Sequence, residues 1–371
     1  MSSIGHDQQK SRTFLHRIHI DFPLLIGILC LMTLGLLVVY SAGGQSNAMA
    51  IKQATRIGIA LMVMFVIAQI PPLIYRKWAV PAFVAGIALL VAVLLFGHTG
   101  KGAQRWLDIG VTLIQPSEIM KLIVPIMIAW YVSQFNLPTK LMHILGAFIL
   151  VLIPTLLIAR QPDLGTSLLI ASSGIFVIFL AGASWRLIGA CGLLGSAFAP
   201  ILWIFLMKDY QKQRVLTFLN PEQDPLGSGY HIIQSKIAIG SGGLQGKGWL
   251  QGTQSQLEFL PERHTDFIFA VFSEEFGLIG VSILLLVYLA IVMRGLWIAV
   301  NAEHAFTKLL AGSITLTFFV YVFVNIGMVS GLLPVVGVPL PLVSYGGTSM
   351  VTLMAGFGIL MAISTHRRFI A

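Results

Sequence analysis

Charged side chains are scarce in this sequence. Only 10% of its 371 residues are Asp, Glu, Lys or Arg, whereas 57% are hydrophobic. A soluble domain carries about 25% charged residues. Most of the protein's surface must therefore face something other than water, which excludes an ordinary soluble enzyme. The length would allow two soluble domains, but no polar block in the chain is long enough to form one.

Cysteine is equally scarce, and the two that are present, Cys30 and Cys191, lie inside apolar segments. This placement argues against a disulfide framework. Acidic residues are outnumbered by basic ones, 14 to 23. The basic residues are scattered singly over short loops, which argues against a nucleic-acid-binding surface. The sequence has no P-loop, so nothing indicates that a nucleotide is used.

Long apolar runs are abundant instead. A membrane-spanning helix needs roughly 20 consecutive apolar residues, and the sequence supplies about ten such runs, which predicts an all-α polytopic membrane protein with a single domain over residues 1–371. The first run follows Lys10, Arg12 and Arg17 as in a signal peptide, but it is longer than the apolar part of one and is interpreted as a retained helix. The predicted spans are 22–40, 54–70, 78–96, 117–132, 142–160, 164–181, 186–207, 267–293, 307–331 and 343–364.

The Lys and Arg residues of the short loops predict the orientation, because short cytoplasmic loops carry an excess of them. With the N-terminus inside, the inner connections hold more Lys and Arg than the outer ones. Both terminal tails, 1–21 and 365–371, are therefore predicted to be cytoplasmic. The long connection 208–266, whose charges have little influence on orientation, is then outside.

The first polar segment on the predicted outer side is 101–118. Pro116 suits the first turn of a helix, and the dipole of that helix favours the carboxylate of Glu118. Lys121 lies three residues further on the same helix face. Glu118 and Lys121 are therefore predicted to form an ion pair just inside the membrane. Whether the pair only joins two helices or takes part in chemistry stays open at this point.

The second segment is the short turn 160–166. Asp163, with Thr166 behind it, is typical of a helix start after a tight turn, so capping is the favoured role for this carboxylate. Arg160 has no comparable structural role. Its side chain either extends from the end of a span to the membrane surface or faces a phosphate.

The third segment is the long outer connection, in which 230–239 has the spacing of a short interfacial helix. The glycines of 240–248 follow, and such runs are most often flexible turns. Because Lys247, Arg263 and His264 lie nearby, it is equally plausible that the backbone N–H groups of this glycine run bind an anion.

Asp266 stands at the mouth of the next predicted span. It is either a helix-start carboxylate held by backbone N–H groups or a proton acceptor, and the residues alone favour neither. Glu274 and Glu275 are expected two turns deeper, roughly 12 Å at 1.5 Å per residue. We expect them to be structural, paired with a cation or a hydroxyl group.

The connection 331–347 has three prolines and almost no polar side chains. Such a loop is expected to re-enter or cover the helix bundle. Ser344 and Tyr345 are predicted to begin the last helix. Asn325, a lone amide in the preceding span, is expected to form an interhelical hydrogen bond.

Taken together, several motifs identify a family. KGAQRWLDIG, QPSEIMK, QPDLGTS, DPLGSGYHIIQSKIAIGSGGLQGKG, LPERHTDFIFAV and GLLPVVGVPLPLVSYGG resemble the SEDS family (shape, elongation, division and sporulation). The resemblance covers nearly the whole chain and is closest to the branch that maintains rod shape during cell elongation. It implies a peptidoglycan glycosyltransferase of the bacterial inner membrane that polymerises lipid II on the outer side, together with a class B penicillin-binding protein and other elongation-complex proteins.

The resemblance also implies roles for particular residues. Asp266 matches the essential loop aspartate of the family, and Glu118 and Lys121 match its acid and base in the fourth span. Arg105 and Trp106 lie in another family motif. The residues that we expect to bind the substrate or its diphosphate are Arg105, Trp106, Glu118, Lys121, Arg160, Asp163, Arg214, Lys247, Arg263 and His264.

The resulting hypothesis is an inverting transfer. Cations stabilise the leaving diphosphate, and Asp266 takes the proton of the acceptor hydroxyl. No cofactor is required; a divalent cation near Asp266 is left open, because no His, Asp or Glu spacing demands one. Two alternatives remain, a lipid II flippase and a non-catalytic scaffold for a penicillin-binding protein.

Overall fold

The computed structural model describes residues 18–366, apart from 101–102, 109, 111–112, 138–139, most of 185–208, 222–227 and 257–261. The predicted span 186–207 falls largely outside the described residues. The helices are α1 Phe22–Ala42, α2 Asn47–Ala68, α3 Pro72–Phe96, α4 Pro116–Val132, α5 Leu141–Arg160, α6 Leu164–Leu180, α7 Asp209–Leu219, α8 Ser228–Ser241, α9 Thr253–Gln256, α10 Ile268–Val300, α11 Ala305–Val329 and α12 Thr348–Thr365. The strands are β1 His98–Gly100, β2 Ala103–Asp108 and β3 Leu113–Ile114.

The polytopic helical architecture is confirmed. Within the described part of the chain, 7 helices are long and apolar enough to cross a membrane: α1, α2, α3, α5, α10, α11 and α12. The count of about ten spans stays a prediction. Helix α2 begins seven residues before its predicted start, because the Ser46 hydroxyl caps it by accepting a hydrogen bond from the Met49 N–H. Helix α12 begins at Thr348, so the prediction that Ser344 and Tyr345 open it is wrong.

Helix α11 lies at the centre of the bundle and packs against α4, α6, α10 and α12. Of its most apolar stretch 72% is buried, compared with 17% for the peripheral α2. In lipid the hydrophobic effect does not drive helices together, so helix association depends on close packing. Small side chains at the contacts allow the helix backbones to approach each other. Gly295 of α10 faces Thr315 of α11 so closely that an added Cβ would overlap it. The Ser313 hydroxyl of α11 donates to the Ser173 carbonyl of α6 at 2.7 Å.

A buried carboxylate ties three helices together at one end of the bundle. Asp21 caps α1 and accepts hydrogen bonds from Arg294 Nη2 of α10 at 2.7 Å and from the Ser364 hydroxyl of α12 at 2.7 Å. Burial by itself would raise the pKa of Asp21. The hydrogen bonds from Arg294 and Ser364, with the positive charge of Arg294, outweigh burial and hold this pKa below its ordinary value. This end is predicted to be cytoplasmic.

The opposite end carries the sheet and the long connections. Strand β1 pairs antiparallel with β2, with His98 opposite Trp106, and β2 pairs antiparallel with β3, with Leu107 opposite Ile114. This small sheet covers part of the polar segment 101–118 and the three residues just before it, where the sequence did not predict strands. Helix α8 forms over Ser228–Ser241, as predicted from its apolar spacing.

Candidate functional site

Asp163 is the capping residue of α6 and also gathers polar groups from two other segments. Its Oδ1 accepts a hydrogen bond from the Thr166 N–H at 3.2 Å, as the sequence predicted. Its Oδ2 accepts from Gln115 Nε2 at 3.3 Å and lies 3.6 Å from Arg105 Nε. Arg105 also donates to the Pro162 carbonyl at 2.6 Å. The sheet, the start of α4 and the start of α6 are therefore joined at one carboxylate. Trp106 follows Arg105 on β2 and is half-buried.

Glu118 and Lys121 form the predicted ion pair in the first turns of α4. Lys121 Nζ lies 2.6 Å from Glu118 Oε1, and the two side chains are 8% and 10% exposed. The same ammonium group lies 5.1 Å from the centre of the Tyr321 ring on α11. Beside it is a cavity of about 30 Å³ between α4, α11 and α12. In the described part of the chain Glu118 Oε2 and the Thr317 hydroxyl are buried without a hydrogen-bond partner.

Asp266 lies in the turn 262–267, two residues before α10 begins, and is half-buried. The 331–347 loop and α11 hold this turn through its backbone. Asn325 Nδ2 donates to the Asp266 carbonyl at 3.0 Å, and the Ser344 hydroxyl donates to the Thr265 carbonyl at 2.7 Å. The Tyr345 N–H donates to the His264 carbonyl at 2.8 Å. A Cβ added to Gly337 would lie 3.5 Å from Asp266 Oδ2.

The segment 335–338 of this loop lies between the candidate groups. Arg214 Nη1 donates to the Val335 carbonyl at 3.3 Å. The Val336 carbonyl lies against Gly165, two residues after the Asp163 cap, and a Cβ there would be 2.8 Å from it. Val338 packs in one apolar cluster with Tyr321, whose ring lies next to the Lys121 ammonium group. Arg214, Asp163, Lys121 and Asp266 are therefore arranged around one apolar segment.

The 331–347 loop does enter the bundle, as predicted. Leu340, Leu342 and Val343 are buried, and a Cβ on Gly35 of α1 would lie 2.7 Å from Val343 Cα. These contacts are made mainly by backbone groups of the loop and by the Ser344 hydroxyl, so its apolar side chains gave no sign of them. Asn325 donates to two loop carbonyls, those of Asp266 and Val338, so the expected hydrogen bond to another helix is wrong.

The glycine-rich turn 240–248 docks on α10 rather than forming an anion cradle. The Lys247 and Gly248 N–H groups donate to the Glu274 and Glu275 carbonyls at 2.9 and 3.0 Å. At this point α10 is broken at Gly277, whose φ of 62° and ψ of −164° lie outside the helical region. A Cβ on Gly277 would lie 2.7 Å from the Leu244 carbonyl. The glycines therefore allow two backbones to meet.

Lys247 and the two buried glutamates belong to this docking contact. Lys247 Nζ lies 2.7 Å from Glu274 Oε1 and 2.7 Å from the Thr253 hydroxyl. Glu275 accepts a hydrogen bond from the Ser41 hydroxyl. Both glutamates thus have the kind of partner expected for a structural role. Lys247 therefore has a carboxylate partner that its neighbours in the sequence did not indicate.

The expected depth of Glu274 and Glu275 is wrong. Glu275 bonds Ser41, next to the last residue of α1, whereas the loop beside Asp266 packs against Gly35. Six residues separate these positions of α1, about 9 Å along its axis. The glutamates are therefore nearer to this end of the bundle than the loop beside Asp266 is, so the stretch of α10 before the break at Gly277 does not run inward from Asp266 as the estimate assumed.

The remaining candidates lie at the end of α5 and in the turn of Asp266. Arg160 is exposed at the end of α5, and Arg263 and His264 are half-buried in the turn of Asp266. The His264 ring makes an edge contact with the Tyr345 ring at 5.7 Å. The guanidinium of Arg56, on α2, lies 4.3 Å from the centre of the same Tyr345 ring. The sequence alone gave no sign of Arg56 and indicated Tyr345 only as a start of the last helix.

No metal centre is evident in the parts of the chain open to description. Among those residues, no three His, Cys, Asp or Glu side chains come together in a way that would hold a metal ion. The site is instead a group of ion pairs, hydroxyls and one carboxylate-bearing turn at one end of a helix bundle.

This fold and site define a polytopic helical membrane protein whose polar centre is built by loops entering one end of the bundle. The family model described as "cell cycle protein", named for FtsW, RodA and SpoVE, matches residues 17–369. The chain belongs to this family, which confirms the SEDS resemblance.

Individual relatives align over almost their entire lengths. The peptidoglycan glycosyltransferase MrdB of Escherichia coli K12 is 58% identical over 365 residues, covering 98% of this chain and 99% of MrdB. Stage V sporulation protein E of Bacillus subtilis is 37% identical over 362 residues, covering 94% and 98%.

Two solved structures share the fold. The rod shape determining protein RodA of Thermus thermophilus superposes with a TM-score of 0.70 at 26% identity, covering 93% of this chain and 96% of RodA. A chain from a peptidoglycan synthase complex that coordinates polymerization and crosslinking superposes with a TM-score of 0.80 at 30% identity, covering 93% and 97%.

Proposed function

We propose that this protein is a peptidoglycan glycosyltransferase that polymerises lipid II into glycan strands on the outer face of the bacterial inner membrane during cell elongation. Family membership supports the reaction class. The main structural support for the site is the arrangement around segment 335–338. The Asp266 carboxylate lies close to Gly337, and Arg214 and the Asp163 turn contact neighbouring residues of the same segment. A carboxylate facing cationic groups across one segment suits a transfer that releases a diphosphate.

The proposed reaction is a single displacement with inversion. The acceptor hydroxyl oxygen attacks C1 of the donor sugar, the C1–oxygen bond to the lipid diphosphate breaks, and the diphosphate leaves with the electron pair. Asp266 accepts the proton of the attacking hydroxyl. Arg105, Trp106, Arg160, Asp163, Arg214, Lys247, Arg263 and His264 remain proposed contributors to substrate binding, with Glu118 and Lys121. A divalent cation near Asp266 stays open, and no step depends on it.

We further propose the partner and the orientation. The partner is a class B penicillin-binding protein that cross-links the strands, assembled with other elongation-complex proteins. The end bearing Asp266 faces the periplasm, and the end bearing Asp21 faces the cytoplasm, in agreement with the distribution of Lys and Arg. Residues 1–371 form one membrane domain, with 208–266 as its large outer connection.

The flippase alternative is less well supported. It needs polar groups spread along a path across the membrane. Glu118, Lys121, Glu274 and Glu275 would have to line that path, yet the first two lie in the opening turns of α4 and Glu275 bonds Ser41 at the end of α1. Those positions all belong to one end of the bundle. A scaffold without catalysis leaves this concentration of polar groups without a purpose.

The test is polymerisation of purified lipid II by the full chain together with its penicillin-binding partner, whose transpeptidase is inactivated. We expect the wild type to form glycan chains and Asp266→Asn to lose about 10²–10⁴-fold in rate, the usual contribution of a general base. Asp108→Asn is the matched control, since Asp108 is an exposed acid on β2 at the same end. Full activity of a folded Asp266→Asn variant would remove Asp266 as the base.

A further inference from the structure

Arg56 is a half-buried cation without a carboxylate partner. Its guanidinium lies on the Tyr345 ring, 4.3 Å from the centre, and its Nε would lie 3.5 Å from a Cβ added to Gly347. Among the residues with described positions, no carboxylate reaches ion-pair distance of Arg56 and no hydrogen bond occupies its N–H groups. A guanidinium has five N–H donors, so Arg56 retains its full capacity to bind an anion.

Three other cations at this end of the bundle differ from Arg56 in this respect. Lys121 is paired with Glu118 at 2.6 Å, and Lys247 with Glu274 at 2.7 Å. Arg105 lies 3.6 Å from Asp163. Each of these positive charges is balanced by a resident carboxylate. A ligand carrying two phosphate groups needs positive charge that the protein has not already neutralised, and Arg56 supplies it.

Arg56 is also fixed relative to Asp266. Gln53, one turn earlier on the same face of α2, donates to the Ser344 carbonyl at 3.2 Å. The Ser344 hydroxyl donates to the Thr265 carbonyl, and the Tyr345 N–H donates to the His264 carbonyl. Two consecutive residues, Ser344 and Tyr345, therefore connect α2 to the turn that carries Asp266. The guanidinium and the carboxylate belong to one continuous contact network.

We propose that Arg56 binds the diphosphate of the donor lipid and stays bound to it as the leaving group. This inference rests on the proposed function. As the bond from C1 to the diphosphate oxygen breaks, the electron pair moves onto that oxygen and the guanidinium stabilises the added negative charge. Stacking on Tyr345 holds the guanidinium plane, so that its edge presents paired N–H groups to phosphate oxygens.

The experiment measures binding of undecaprenyl diphosphate to the purified full chain in detergent by thermophoresis. We expect Arg56→Gln to raise the Kd about tenfold to a hundredfold, the range for lost charge-assisted hydrogen bonds. Arg56→Lys should show a smaller rise, because it keeps the charge but not the two-pronged geometry. Lys52→Gln is the matched control, since Lys52 is exposed one turn away on α2, and we expect its Kd to equal that of the wild type.

Parallel titrations with phosphatidylglycerol distinguish a substrate site from a headgroup site. A Kd for undecaprenyl diphosphate that Arg56→Gln leaves unchanged overturns the proposal. An equal loss for both lipids also overturns it, because the guanidinium would then serve the membrane surface. If Arg56→Gln lowers the thermal unfolding midpoint, Arg56→Lys carries the test. Lipid II polymerisation by the wild type is measured separately, so failure of the proposed function is recognised independently of these binding results.

Discussion

The carboxylate of Asp266 owes its position to other residues' contacts with its backbone. Asn325 and Ser344 donate to consecutive carbonyls of its turn, those of Asp266 and Thr265. Asn325 is fully buried, so loss of its amide would leave buried carbonyls unsatisfied at a cost of about 1–3 kcal/mol. The site therefore depends on residues that have no chemical role of their own.

The Glu118–Lys121 pair allows a structural role to be separated from a chemical one. Glu118→Ala or Lys121→Ala alone should destabilise the protein by about 3–5 kcal/mol, because each leaves a buried charge without its partner. The double variant should recover most of this loss. Thermal unfolding in detergent measures the stability, and the lipid II assay measures the activity.

The activity of the double variant decides between the two roles. If the pair only joins α4 to α11, activity returns together with stability. If the pair acts on the substrate, the double variant is stable and inactive. A double variant less stable than either single variant would contradict the premise that the two charges neutralise each other.

At the scale of elements, the glycine-rich turn 240–248 packs against α10 where that helix is broken. The stability of this contact depends on the backbone conformation of Gly277. Gly277→Ala should destabilise by more than about 2 kcal/mol, because a positive φ is costly for other residues and the new Cβ meets the Leu244 carbonyl. Gly58→Ala on α2 is the control. Nothing lies within 4 Å of its added Cβ, so the variant should gain up to about 1 kcal/mol from helix propensity. Similar unfolding midpoints for both variants would show that the break is not required.

The Asp21 connection between α1, α10 and α12 should make stability depend on acidity. The pKa of Asp21 lies below its ordinary value of 3.8 in the folded protein. Its contribution is therefore complete above pH 3.8 and is lost as the pH falls through the lower, folded value. We expect Asp21→Asn to unfold at a lower temperature than the wild type at pH 7, with the gap closing below pH 3.8. A constant gap over this range would show that the ionised form is not what stabilises the contact.

Some of these elements could be predicted from the sequence because their signals are local. The first span ends within two residues of its prediction, and Glu118 meets Lys121 because i,i+3 spacing fixes their geometry. Asp163 caps α6 as its neighbours indicated. The break at Gly277 could not be predicted, because the turn docked on it comes from about 30 residues earlier in the chain, too far away for a local signal. The sheet is likewise formed from very short strands held by pairing with one another.

Across the whole molecule, the proposed orientation can be measured directly. With Cys30 and Cys191 replaced by Ala, a single cysteine is placed at Leu244 or at Glu303, which are exposed at opposite ends of the bundle. A membrane-impermeant maleimide applied to spheroplasts should label Leu244→Cys and leave Glu303→Cys unlabelled until the membrane is broken. The reverse pattern would place Asp266 in the cytoplasm, away from any periplasmic glycan.

The interruption of α10 also bears on how the protein meets membranes of different thickness. Spanning helices tilt to match the bilayer around them, and the stretch after Gly277 is long, apolar and largely lipid-facing. Because Gly277 separates it from the short stretch that follows Asp266, we expect a tilt to be taken up at the break. The distance between Asp266 and Gly337 should then stay constant from thin to thick bilayers, so that lipid composition alters the outer contour of the protein and leaves its chemistry unchanged.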